Sequence, residues 1–84
     1  MSIQPVPVLR LEEPSYASLL DKIAYEWGYA LKASRARNWL ELECKLAGMR
    51  SAVAFMTRDE SASNELHDLV MLALEHRLMV EVQA

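Results

Sequence analysis

Trp39-Leu40-Glu41-Leu42-Glu43-Cys44-Lys45-Leu46-Ala47-Gly48-Met49-Arg50-Ser51-Ala52-Val53-Ala54-Phe55-Met56 is the stretch whose periodicity decides the fold. Trp39, Leu42, Leu46, Met49, Val53 and Met56 recur at spacings of 3, 4, 3, 4 and 3. With about 3.6 residues per helical turn, they form a single stripe, the seam that faces a partner helix. Ala33, Leu40, Cys44, Ala47, Ser51 and Ala54 fall roughly opposite that seam. Small residues there would let a second helix approach closely, and a helix apolar on both faces belongs in the middle of a bundle.

Upstream, Tyr16, Leu20, Ile23, Trp27 and Ala30 are spaced 4, 3, 4 and 3 and predict a first helix, with Ser15 as its N-cap. Its opposite face carries Ser18, Lys22, Tyr25, Tyr29 and Lys32. The two stripes differ in phase by roughly a quarter turn. No Gly or Pro lies between them, so the phase jump alone places a break within Ala33–Arg37; one long bent helix is the alternative.

Downstream, residues 57–64 are polar and rich in turn formers, which predicts a loop, with Ser63 or Asn64 capping a third helix. Glu65 in the first turn suits the helix dipole. Leu66, Leu69 and the run Val70 to Leu74 make this helix apolar nearly all round, so contact on two sides is expected. Leu78–Val82 either completes it or forms a short strand, for which Val6–Leu11 is the natural mate. Residues 1–14 hold all three prolines and read as an extended arm or a partly ordered tail. The expectation is an all-α domain of three helices over 15–84, with an extended N-terminal arm over 1–14.

The 84 residues suffice for one domain, and a chain of this size buries only about 60–65% of its unfolded surface. Yet 52% of the residues are hydrophobic, a surplus that asks for cover, most simply by a helical homodimer. One cysteine, Cys44, allows no intrachain disulfide and fits a reducing compartment. The opening MSIQPVPVLRLEEP lacks a basic region followed by an apolar one, and the longest apolar run is Leu69 to Leu74, so a cytoplasmic chain with no membrane partner is expected. Charge is segregated. Residues 1–26 carry net −2, residues 27–58 net +4 and residues 59–84 net −5, which favours helices that pair with one another over binding of an outside polyanion.

Nothing in the residue spacing marks chemistry. Cys44, His67 and His76 stand at no metal-ligand spacing, and the two histidines, nine apart, fall near opposite sides of a helix. Cys44, in mid-helix, reads as a buried packing residue. Glu41 and Glu43, two apart, diverge on a helix and read with Glu12 and Glu13 as solvated charge. Gly28 and Gly48 both lie within helical patterns, with no phosphate loop. No metal, no cofactor and no enzymatic activity are expected.

Cys44-Lys45-Leu46-Ala47-Gly48-Met49-Arg50-Ser51-Ala52-Val53 resembles the helix-turn-helix of repressors, which often run small-x-x-Ala-Gly-hydrophobic before the recognition helix. The resemblance would imply a turn at Gly48. It then departs: Ala54 stands where the next buried aliphatic belongs, Val53 comes one residue early, and Glu43 occupies a position the motif keeps apolar. The unbroken seam through Gly48 implies continuous helix instead.

The candidate partner-binding residues are Lys22, Tyr25, Tyr29 and Lys32, with Arg35 and Arg37 just beyond. Tyrosines flanked by cations suit intramolecular packing, a protein hot spot or a nucleotide, in that order. The expected function is a small regulator, inhibitor or adaptor that masks a surface on a larger protein partner, of the kind that phage and plasmid accessory proteins provide. The alternative is a dimeric nucleic-acid-binding or nucleotide-sequestering protein using the basic segment 22–58.

Overall fold

The computed structural model describes residues 16–83, which form three α-helices. These are α1 (Ala17–Ala33), α2 (Ala36–Met56) and α3 (Glu60–Gln83). Helix α2 packs against both others, more extensively against α3. The bundle measures 39 × 19 × 18 Å. The all-α expectation holds. Among the described residues there is no strand, and Leu78–Val82 completes α3, where Val80 packs against the core. The extended arm, the Val6–Leu11 strand and the Ser15 cap lie outside the described residues.

The inward stripes of α1 and α2 are those of the sequence, and α3 buries one side of its apolar surface. Ile23, Trp27 and Ala30 of α1, Trp39, Leu42, Leu46 and Val53 of α2, and Leu66, Leu69 and Ala73 of α3 are all buried. Burying each Leu or Ile contributes roughly 1.5–3 kcal/mol. Leu20 and Met49 are half-buried. Met56 is exposed, because α2 ends there and the chain turns away from the core before the seam's last position can be covered.

The break between α1 and α2 falls at Ser34 and Arg35, inside the interval expected from phase alone. Ser34 adopts the left-handed conformation, φ 52° and ψ 43°, and its N–H donates to the Ala30 carbonyl at 3.0 Å. Arg35 is extended. Helix α2 then runs unbroken through Gly48, so the turn that a helix-turn-helix needs is not formed.

The expectations are corrected at the second loop and its cap, at Cys44, and on the outer faces of α2 and α3. The second loop is only Thr57-Arg58-Asp59, and the cap is Asp59 rather than Ser63 or Asn64. The Asp59 Oδ1 accepts from the Ala62 N–H at 3.1 Å, so α3 starts upstream and Ala62 and Ser63 are buried in its first turns. The back of α2 is not packed within the chain: Leu40, Cys44, Ala47, Ser51 and Ala54 are exposed, because α1 and α3 both lie on the seam side. Cys44 is accordingly an exposed thiol, not a buried packing residue. Helix α3 likewise is covered on one side only, with Met71 and Leu72 exposed.

Candidate functional site

The face of α1 that points outward is set by what its other face holds. The Trp27 ring meets Trp39 edge-on, with centroids 5.3 Å apart, and Trp39 stacks on His76 at 4.3 Å with planes 9° apart. Trp27 also meets His76 edge-on at 5.6 Å. This cluster locks the rotation of α1, and Tyr25 and Tyr29 then project outward, 73% and 57% exposed. They are separated by about 6 Å of helical rise. Lys22 and Lys32 are exposed on the same face, one turn beyond at either end.

The elbow at Ser34 folds Arg35 and Arg37 back beside this face. Tyr29, Arg35 and Arg37 line one open hollow together with Ala33, Asn38 and Glu41. Of the six residues expected from sequence, these three converge; Lys22, Tyr25 and Lys32 extend the surface along α1. The Arg37 Nε donates to Glu41 Oε1 at 3.3 Å in an exposed pair. Lys22, Lys32 and Arg35 have no ion-pair partner among the described residues. The result is a pair of exposed amphipathic rings rimmed by cations.

Sequence reasoning missed two features. Glu43 is not solvated: its Oε2 accepts from the Arg77 Nε at 2.6 Å, and Arg77 also reaches Glu81 at 3.2 Å. The bond to Glu43 raises the Arg77 pKa above its ordinary value, helped by Glu81 and opposed by partial burial. Glu43 lies about 200° around α2 from Glu41 and so turns toward α3. The signal was present, since Arg77 is the only cation in the acidic segment 59–84. The second feature is His76, buried among the tryptophans, where desolvation lowers its pKa and the nearby Glu75 partly raises it. The Trp27 Nε1 donor beside it has no hydrogen-bond partner among the described residues.

Helix pairing by charge follows the segregated pattern once, in Lys45 to Glu26 at 3.0 Å, and reverses it once, in Arg77 to Glu43. His67 is exposed and His76 buried, on different sides of α3 as their spacing implies. Among the described residues no three His, Cys, Asp or Glu side chains converge on a metal-sized site, and no helix is long and apolar enough to cross a membrane. Comparison with protein-family models, curated proteins and solved structures finds no match.

Proposed function

We propose that this chain is a small, non-enzymatic protein-binding regulator, inhibitor or adaptor that docks on a larger protein partner through the outer face of α1 and the elbow after it. Tyr25 and Tyr29 form the contact, and Lys22, Lys32, Arg35 and Arg37 its cationic rim. The observation that carries this reading is the exposure of two adjacent tyrosines over a core already closed beneath them. Tyrosine supplies large, rigid contact area and is enriched at interface hot spots. A cationic rim steers toward an acidic protein surface. A lone exposed thiol at Cys44 suits a cytoplasmic setting, where it stays reduced.

The test is the double variant Tyr25→Ala/Tyr29→Ala. Because both rings are exposed, its thermal unfolding should match the parent within the roughly 0.5 kcal/mol typical of surface changes. Recovery of the partner from native-host extract should fall by at least about fivefold, the equivalent of about 1 kcal/mol. A large loss of stability would make both tyrosines structural and overturn the reading. Binding to an oligonucleotide whose logarithm falls steeply and linearly with log salt would transfer the surface to the nucleic-acid alternative.

A further inference from the structure

A second surface, separate from the tyrosine face, is left open by the way α1 packs. Glu43 and Lys45 lie about 200° apart around α2. Lys45 reaches α1 through Glu26, so Glu43, which pairs with Arg77 of α3, marks the flank turned away from α1. Leu40, Ala47 and Ala54 lie within about 60° of Glu43 on that flank. On α3, Val70 and Leu74 lie within about 60° of Arg77, and Met71 and Leu78 follow on the outer side. Leu40, Met71 and Leu78 are 48%, 45% and 48% exposed, a contiguous apolar face on a chain that a single layer of core already fills.

The two helices that build this face differ in both size and charge. Helix α2 presents mainly alanines there, whereas α3 presents Val, Leu and Met. Within about 100° of the Glu43–Arg77 pair, α2 carries Arg50 as its further charge, whereas α3 carries Glu60 and Glu81. Laying α3 on α3 would oppose like charge and crowd large side chains together. Laying α2 of one copy on α3 of another sets ridges of large residues into a shallow alanine surface and brings opposite charge together. Arg50, the cation on the same flank of α2, then faces an acidic helix.

We infer that this face is the interface of a homodimer, in which α2 of each copy lies along α3 of the other about a two-fold axis parallel to the helices. Because α2 and α3 run antiparallel within the chain, that axis makes all four neighbouring contacts antiparallel, the arrangement of an up-down bundle. The surplus of apolar residues over what one small domain can bury is covered by this contact.

Sedimentation equilibrium of the full chain at tens of micromolar tests it. The expected mass is twice the 9.6 kDa of the chain, and the association should weaken as salt rises. Leu40→Glu and Leu78→Glu alter side chains already half in water, so far-UV circular dichroism should remain helical while the mass falls to that of one chain. A parent chain that sediments as a monomer overturns the inference. A dimer that survives both substitutions overturns it too, placing the interface elsewhere.

Discussion

The two ends of the bundle are held by different physics. At the elbow end, Trp27, Trp39 and His76 pack ring against ring, and the N-cap residue Arg35 makes no side-chain capping bond to α2. At the loop end, Tyr16 OH donates to Asp59 Oδ2 at 3.1 Å, Asp59 caps α3, and the Thr57 hydroxyl donates to the Val53 carbonyl at 2.7 Å. A left-handed serine costs about 1–2 kcal/mol. Each turn holds one left-handed residue, Ser34 at φ 52° and Arg58 at φ 55°, so the two ends differ in the side chains around it rather than in backbone strain. Each hydrogen bond at the loop end nets only about 0.5–1.5 kcal/mol and depends on geometry. The elbow is therefore fixed by volume and the loop by directed polar contacts.

Three measurements bear on that contrast. Trp39→Ala should have the largest effect, about 3–5 kcal/mol in urea unfolding, since it empties the site where Trp27 and His76 meet. A loss below about 1 kcal/mol would show that the elbow does not depend on ring packing. Asp59→Ala should cost about 1–2 kcal/mol, removing the cap on Ala62 and the acceptor for Tyr16, whereas Asp59→Asn should restore most of it. If Asp59→Ala proved the more damaging of the two, the contrast would be inverted.

The smallest effect should be that of pH on His76. Burial holds its pKa below the ordinary 6.5, so on acidification the unfolded chain takes up the proton before the folded one. Stability from this group is complete above about 6.5 and is lost as the pH falls below it, until the folded form also binds the proton. Unfolding free energies at pH 7.5 and 5.5 should differ in the parent. His76→Phe, which keeps a ring at this position, should remove the difference.

Periodicity was enough to identify the inward residues of α1 and α2 and the interval containing the elbow, whereas α3, apolar nearly all round through Val70–Leu74, offered no single stripe. It failed where a decision was made by an element's end. Met56 continues the seam on paper but has no turn of helix beyond it to hold it against the core. Ser61, Ser63 and Asn64 have the composition of a loop, yet Asp59 captures the Ala62 N–H upstream and commits them to α3. At the candidate site, the outward direction of Tyr25 and Tyr29 followed from being opposite a clear stripe. The approach of Arg35 and Arg37 to Tyr29 depends on the dihedral angles of Ser34, which no residue type announces.

Sequence by itself determined that three segments form helices and, for α1 and α2, which stripe is apolar enough to face inward, because both follow from local spacing at 3.6 residues per turn. Only the tertiary structure decided which neighbour covers each flank. It left the alanine face of α2 and the Cys44 thiol open, turned Glu43 to a partner 34 residues away, and enclosed His76 but not His67. A period says that a face is apolar. What meets that face is settled by contacts between residues far apart in the chain, where the angle of one turn redirects a whole helix.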